Sequence, residues 1–214
     1  MLNRLATQAQ NLRAPRRTQS VRAIAFGAST GGLQSLTTIL RALAGRRLDA
    51  PLLVALHTPG RFCDAVANAL QRESGREVIA PRSVANLTAD AIYIGAPDMH
   101  LRVSRHMGLP QAQSAPATPR DSHRPSVDVL FASAAEVYGP SLLALVLTGM
   151  GEDGLAGARA VVARGGRVLT QSPQTCAAES MPLNVTAAGL SRASMSPEEL
   201  AASILIRVEA AAHV

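Results

Sequence analysis

Short runs of apolar residues recur along the chain from about residue 21, and each run is closed by Gly, Pro, Thr or His. Runs of this length, bounded by turn-forming residues, are typical of strands that are buried on both faces of a parallel sheet. We therefore predict strands at residues 23–26, 52–56, 91–94, 142–147 and 167–170.

The segments between these runs carry apolar residues at helical spacing. The pattern includes Leu33, Leu36, Ile39, Leu40 and Leu43, and then Phe62, Val66 and Leu70. An alanine-rich segment closes at Gly165 and Gly166, where glycine can end a helix. Ser196 and Glu199 form a capping-box pattern that predicts a last helix from residue 197 to about residue 211. Strands that alternate with helices predict an α/β fold with a doubly wound, mostly parallel sheet.

Two stretches do not fit this alternation. Residues 1–20 are polar and arginine-rich without an apolar period, which predicts a flexible basic leader ahead of a single domain at residues 21–214. Residues 105–124 contain several Gly, Pro, Ser and Gln residues and show no period. We expect an irregular surface excursion there.

Composition narrows the classes of function. Of the 214 residues, 47% are hydrophobic and 17% are charged, which is ordinary for a folded protein, but only 2% are aromatic. So few aromatic rings leave little for bases to stack on, and we expect no nucleic-acid binding. Much of the net charge of +6 comes from arginines near the N-terminus, which we interpret as a solvated tail.

Two further absences bear on localisation and cofactors. No uncharged run approaches the length of a membrane span, and the N-terminus lacks the apolar stretch of a signal peptide, so we expect a cytoplasmic protein without membrane insertion. Cys63 and Cys176 lie far apart and match no metal-binding spacing. We therefore expect reduced thiols, no metal site and no cofactor.

The loop Gly-Ala-Ser-Thr-Gly-Gly, residues 27–32, connects the first predicted strand to the first predicted helix. Reactive groups of parallel sheets gather at such strand ends. Ser29 or Thr30 either caps the helix, or belongs to a phosphate-binding or nucleotide-binding loop, or acts as a nucleophile beside free backbone N–H groups. The loop alone favours capping, and it lacks the Lys of a Walker A motif.

His57 follows the second predicted strand, and Asp153 lies in the loop Thr-Gly-Met-Gly-Glu-Asp-Gly after the fourth. Taken alone, such a histidine is usually structural, and such an aspartate caps the next helix. Together with Ser29, His57 can act as a general base and Asp153 can orient its imidazole. His100 is a reserve candidate for the base. The glycines beside Met150 leave its backbone N–H free to approach a developing oxyanion.

Four segments together resemble the catalytic domain of the chemotaxis protein-glutamate methylesterases, the CheB family. They are the 27–32 loop, His57 with Pro59, the sequence His-Arg-Pro-Ser-Val-Asp-Val-Leu-Phe at residues 123–131, and the 148–154 loop, and they occur in the family's order. The resemblance implies a three-layer α/β/α sandwich that hydrolyses glutamate methyl esters on the cytoplasmic helices of methyl-accepting chemoreceptors. Because many members also deamidate glutamines on these helices, the resemblance implies this second activity as well.

By position, the resemblance assigns Ser29 as the nucleophile, His57 as the base and Asp153 as the acid that orients it. Thr30 and the Met150 backbone match supporting positions beside the reacting carbonyl, and no metal or cofactor takes part. Two alternatives to an esterase stay open. The chain is then a phosphate-binding or nucleotide-binding regulatory module that uses the 27–32 loop, or a chemosensory scaffold of the same fold without catalysis.

The chain also departs from the family pattern. Leu56 and Thr58 flank His57 where members often carry Gln and Met, and Ser180 stands where Gly is common. Many relatives have an N-terminal receiver domain, which 20 polar residues are too few to form. We therefore expect a stand-alone esterase that is either uncovered or controlled by a separate response-regulator partner.

Overall fold

The computed structural model describes residues 20–118 and 121–209. Its strands are β1 (Ala23–Ala28), β2 (Leu52–Leu56), β3 (Val78–Ile79), β4 (Val84–Asn86), β5 (Ile92–Ile94), β6 (Met99–His106), β7 (Leu109–Pro116), β8 (Leu142–Val146), β9 (Arg167–Gln171) and β10 (Ser194–Met195). Seven of them form a sheet of order β10-β9-β8-β1-β2-β5-β3, in which all neighbours are parallel. All five predicted strands belong to it. Apart from residue 20, the predicted leader lies outside the described residues.

Helices cover both faces of this sheet. They are α1 (Gly32–Ala42), α2 (Cys63–Ser74), α3 (Val127–Tyr138), α4 (Leu155–Ala163), α5 (Ser180–Ala187) and α6 (Pro197–Glu209). Strand residues alternate between the faces: Ile24 and Phe26 pack with α1, α2 and α6, whereas Ala23 and Ala25 pack with α3, α4 and α5. The three-layer α/β/α sandwich is therefore confirmed. The apolar pattern predicted α1, α2, α4 and α6, but not α3 or α5.

A second sheet of order β4-β7-β6 is antiparallel and packs against α3. It shows that the expected irregular excursion at residues 105–124 was wrong, because most of that stretch belongs to a β6–β7 hairpin. Met107 and Gly108 form its two-residue turn with φ of 48° and 83°, as such turns require. Ala112 is the one fully buried residue of β7, so the strand carries too little apolar alternation to be recognised.

The last helix, α6, begins as its sequence predicts. The Ser196 N–H donates to Glu199 Oε2 at 2.8 Å, and the Glu199 N–H donates to Ser196 Oγ at 3.3 Å. From this start α6 packs Leu200 and Ile204 into the core against α1. The predicted end of this helix, at about residue 211, lies outside the described residues. Among the helices that the structure describes, none is both long and apolar enough to cross a membrane.

Ser196→Ala removes one half of the capping box. We expect it to lower the free energy of unfolding by about 1 kcal/mol, because the Glu199 N–H loses its acceptor at the start of a helix that carries core residues. Urea unfolding followed by circular dichroism measures the change. Ser83→Ala, at an exposed serine next to β4, is the control. Equal stability of Ser196→Ala and wild type would contradict the prediction.

Candidate active site

Three of the loops singled out in the sequence meet at the carboxyl ends of the adjacent strands β8, β1 and β2. Ala28 pairs with Leu56 in the β1–β2 register, so the residues that follow, Ser29 and His57, leave the sheet side by side. The His57 N–H donates to the Ala28 carbonyl at 2.9 Å, and the Ser29 N–H donates to the Thr148 carbonyl at 3.0 Å. The order and register of the strands therefore bring these loops together.

Ser29 does not cap the helix that follows it. The N-cap residue of α1 is Gly31, with φ of 75°, and no side chain of the described residues bonds to the cap. The capping interpretation of Ser29 and Thr30 is therefore wrong. Ser29 Oγ makes no hydrogen bond to any residue that the structure describes, which leaves the hydroxyl free to react. Thr30 lies exposed beside it.

Thr148 fastens this serine loop to its surroundings. Its Oγ1 donates to the Thr30 carbonyl at 2.9 Å and accepts from the Ala178 N–H at 3.0 Å, and its own N–H donates to Gln171 Oε1 at 2.9 Å. Both Thr148 and Gln171 are buried. The loop that carries the free hydroxyl is therefore held by a polar network inside the protein rather than by solvent contacts.

His57 and Asp153 form a short, shielded hydrogen bond. His57 Nε2 lies 2.7 Å from Asp153 Oδ2, and the two side chains are 12% and 4% exposed. An ionised carboxylate can only accept, so Nε2 carries the proton. In the neutral ring Nδ1 then bears the lone pair, and it bonds to no described residue. The usual Ser-His-Asp arrangement joins aspartate to Nδ1, so the two ring nitrogens have exchanged places here.

Asp153 does not cap α4, the helix directly after it, whose N-cap residue is Gly154 without a side-chain bond. The capping interpretation of Asp153 is therefore wrong for that helix. Its carboxylate instead accepts from the N-terminus of α3: the Val127 N–H at 2.7 Å, the Asp128 N–H at 2.9 Å and Ser126 Oγ at 3.0 Å. Free N–H groups and the helix dipole both stabilise a negative charge at this place.

Asp128 does the same in the opposite direction. Its Oδ1 accepts from the Gly154 N–H at 2.9 Å and from the Gly157 N–H at 2.6 Å, at the start of α4. Asp153, just before α4, thus binds the N-terminus of α3, and Asp128 of α3 binds the N-terminus of α4. Asp128 was not predicted as a site residue, although it lies in the 123–131 segment that resembles the family.

The two carboxylates differ in acidity. Burial raises the pKa of Asp153, but hydrogen bonds from His57 and from the N–H groups of Asp128 and Val127 outweigh it, and the pKa falls to about 2. Burial raises the pKa of Asp128, and so does the nearby charge of Asp153. Hydrogen bonds from the Gly157 and Gly154 N–H groups lower it but do not outweigh these two effects. Asp153 is therefore the more acidic of the two, and its pKa of about 2 keeps it ionised at neutral pH.

The backbone around Met150 is fixed on both sides. Gly149 donates its N–H to a main-chain carbonyl, and the Gly151 N–H donates to Ser180 Oγ at 2.9 Å. Asn184 Nδ2 also donates to the Gly151 carbonyl at 3.0 Å. Among residues 20–118 and 121–209, the Met150 N–H has no acceptor. A free donor on a restrained loop is suited to stabilising an oxyanion.

His123 also belongs to the site and was not predicted. Its ring stacks on His57, with ring centroids 4.3 Å apart and an interplanar angle of 10°. His123 follows no predicted strand, and the signal that could have identified it is its place in the His-Arg-Pro-Ser motif. His100 is not brought to His57 by any described contact: its Nε2 lies 3.2 Å from Asp121 Oδ2, and its Nδ1 accepts from the Ser126 N–H at 3.1 Å.

His57, His123 and Asp153 also place three potential metal ligands together, with donor atoms all within 4.8 Å of one another. Two imidazoles and a carboxylate are typical ligands of zinc. A bound zinc ion lies near the plane of each imidazole, however, and these two rings are nearly parallel and stacked face to face. The two rings therefore cannot bind the same ion in this arrangement.

Comparison with known proteins relates the chain to one family. A family model described as CheB methylesterase matches residues 24–204. The chain is 41% identical over 167 residues to protein-glutamate methylesterase/protein-glutamine glutaminase 5 of Myxococcus xanthus (strain DK1622), a match that covers 78% of this chain and 48% of that protein. A Nocardioides protein-glutamate methylesterase/protein-glutamine glutaminase is 37% identical over 187 residues, covering 87% and 50%. The chain thus spans about half the length of the curated relatives it matches.

A solved structure supports the same relation. The crystal structure of the Thermotoga maritima CheB methylesterase catalytic domain matches with a TM-score of 0.82 and 28% sequence identity. The match covers 87% of this chain and 98% of that one. The fold implied by the sequence resemblance is therefore found again in three dimensions.

The low pKa of Asp153 predicts acid sensitivity. Because this carboxyl has a pKa of about 2 in the folded protein and about 4 when unfolded, its stabilising contribution is complete above about pH 4 and is lost as pH falls through about 2. We expect the stability difference between wild type and Asp153→Asn to shrink by roughly 2 kcal/mol between about pH 5 and about pH 2.

Urea unfolding at a series of pH values measures this difference. Asp49→Asn, at an exposed aspartate, is the control. A difference between wild type and Asp153→Asn that stays constant with pH would contradict the low pKa.

Proposed function

The chain belongs to the CheB methylesterase family, and from this premise we propose that its site hydrolyses glutamate methyl esters on the cytoplasmic helices of methyl-accepting chemoreceptors. The observation that carries the proposal is the 2.7 Å contact between His57 and Asp153, next to the free hydroxyl of Ser29. We further propose that residues 21–214 act as one catalytic domain in the cytoplasm.

The first half of the reaction makes an acyl-enzyme. Ser29 Oγ attacks the ester carbonyl carbon while its proton passes to His57 Nδ1, the ring nitrogen that Asp153 leaves free. The ionised Asp153 stabilises the imidazolium. The Met150 N–H donates to the developing oxyanion, and Thr30 lies beside the reacting carbonyl.

The tetrahedral intermediate then collapses to the acyl-enzyme: the bond to the methoxy oxygen breaks, and methanol leaves with the proton from His57. Hydrolysis of the acyl-enzyme is the second half of the reaction. A water molecule then gives a proton to His57 Nδ1 and attacks the acyl carbon. The bond to Ser29 Oγ breaks, Ser29 recovers its proton from His57, and the receptor keeps a free glutamate side chain.

The same groups can act on a glutamine side chain. The nitrogen then leaves as ammonia after His57 protonates it, and water completes hydrolysis to glutamate as before. The names of the Myxococcus and Nocardioides relatives include protein-glutamine glutaminase. We therefore propose deamidation of receptor glutamines as a second activity of this site.

The phosphate-binding alternative has less support from the geometry. Within the 27–32 loop, the Ser29 N–H donates to the Thr148 carbonyl and the Gly32 N–H donates to the Ser29 carbonyl at 2.8 Å. These two N–H groups are directed at the protein itself rather than at a ligand. Calorimetry against nucleotides separates this alternative from the esterase, which is expected to bind none specifically.

Ser29→Ala and His57→Ala remove the proposed nucleophile and base. We expect each to lower methanol release from methylated receptor membranes at least about 10³-fold, because such residues act as a unit. The measurement is methanol produced per enzyme per unit time. Matched controls are Ser83→Ala and His106→Ala, which alter an exposed serine and an exposed histidine in or beside the second sheet.

Two outcomes have distinct meanings. Unchanged release in both Ser29→Ala and His57→Ala would overturn the assignment of these residues. Failure of wild-type Ser29 to react with a fluorophosphonate probe would instead favour the non-catalytic scaffold.

Ser180 offers a test of the 148–154 loop, which carries the Met150 N–H. Its hydroxyl accepts from the Gly151 N–H and donates to the Gly149 carbonyl at 3.3 Å, on either side of Met150. Ser180→Gly removes both bonds, and we expect kcat to fall roughly 10-fold with KM little changed, since the Met150 N–H is less well oriented. Ser180→Thr keeps the hydroxyl and is the control. Steady-state kinetics that find kcat unchanged in Ser180→Gly contradict the prediction.

A further inference from the structure

The imidazole of His57 is contacted in two different ways. Asp153 binds its edge at Nε2, and the ring of His123 lies nearly flat against its face, 4.3 Å away between centroids. The side chain of His57 is only 12% exposed. The ring is therefore restrained by a hydrogen bond in its plane and by a second ring against its face.

The two contacts restrain different motions. A hydrogen bond at one ring atom fixes that atom, but leaves the imidazole able to tilt about it. Tilting changes the direction of Nδ1, the proposed proton acceptor for Ser29, whose hydroxyl is not held by any described residue. A flat ring against the face blocks the tilt toward that side, because close-packed atoms cannot interpenetrate. Small displacements of a base from its reaction geometry reduce rates strongly.

The segment that carries His123 is anchored on both sides of it. On one side Asp121 Oδ2 bonds His100 Nε2 at 3.2 Å, and on the other the Ser126 N–H donates to His100 Nδ1 at 3.1 Å. His100 is buried, so one ring joins both anchors. Ser126 Oγ also donates to Asp153 at 3.0 Å. The position of His123 is thus tied to the same carboxylate that binds His57.

The acidity of Asp121 agrees with this anchoring. Hydrogen bonds from the Thr118 N–H and from His100 lower the pKa of Asp121 to about 2, so the carboxylate is a permanent acceptor at neutral pH. Arg124 Nη2 donates to the Thr118 carbonyl at 3.1 Å and closes the turn. The segment before α3 is therefore held by side chains around His123 rather than by His123 itself.

We propose that His123 is a positioning residue, whose flat ring keeps the His57 imidazole in the plane that joins Asp153 to Ser29. The inference rests on the proposed function and adds a residue outside the assigned Ser29, His57 and Asp153. It requires a planar aromatic group at position 123 and no hydrogen bond from it. The nitrogens of His123 bond to no residue that the structure describes, in agreement with a role through its face.

The test compares three variants of the full chain. His123→Ala removes the ring, His123→Phe keeps a flat ring without nitrogens, and His106→Ala is the matched control at an exposed histidine. We expect His123→Ala to lower kcat for methanol release roughly 10-fold with KM unchanged. His123→Phe is expected to restore most of that loss. Thermal unfolding of each variant shows whether it is folded.

Two readouts do not depend on the receptor substrate. One is the rate at which a fluorophosphonate labels Ser29, which should fall in His123→Ala and recover in His123→Phe. The other is the low-field NMR signal of the His57 Nε2 proton, which should broaden in His123→Ala through faster exchange with water and stay sharp in His123→Phe. If wild type releases no methanol but both readouts respond in this way, the proposed substrate is wrong and the positioning role stands.

Three results would overturn the positioning role. The first is a kcat, labelling rate and NMR signal in His123→Ala equal to those of wild type. The second is a His123→Phe variant as slow as His123→Ala, since the nitrogens and not the flat ring then matter. The third is a raised KM with kcat unchanged, which indicates that His123 contacts the substrate instead of His57.

Discussion

One buried, ionised carboxylate organises this site. Asp153 is only 6% exposed, and a buried charge without partners costs several kcal/mol. Here the N-terminus of α3 supplies two N–H donors, Ser126 adds a hydroxyl and His57 adds a ring N–H. Asp128 in turn binds the start of α4. The bonds of Asp153 therefore help to pack α3 against α4 as well as to hold His57. The proposed catalytic geometry and the helix packing therefore depend on the same group of bonds.

The sequence predicted features that local pattern controls, and it failed where distant segments meet. Five strands, four helices and the Ser196 capping box follow from apolar spacing and turn chemistry. The pattern around Asp153 indicated a cap for the next helix, whereas its donors come from a helix far upstream. β7 was not predicted because Ala112 alone among its residues is fully buried. The 123–131 motif contains His123, but no local pattern says which ring it stacks on. The roles of Ser29, His57 and Asp153 stay proposals.

Glycine shapes the loop at residues 148–154, and the loop depends on neighbouring side chains to hold it in place. A Cβ at residue 149 would lie 2.7 Å from Ser29 Cβ and 2.2 Å from Met181 Sδ, so only glycine fits there. Glycine also permits many backbone conformations, which is unfavourable for the fixed orientation of the Met150 N–H that we propose. Ser180 and Asn184 restrain this freedom from α5. Ser180 therefore restrains this loop through its side chain.

The β1–β2 register has a consequence for how this chain can vary. Ser29 and His57 follow paired residues on neighbouring strands. Because neighbouring strands are about 4.8 Å apart, the strand pairing alone brings the two residues close together. Shifting one strand by a single residue moves each of its side chains to the opposite face of a sheet. An insertion or deletion of one residue within β2 would thus direct His57 into the wrong helical layer. The length of these two strands is as much a condition of function as the residues that follow them.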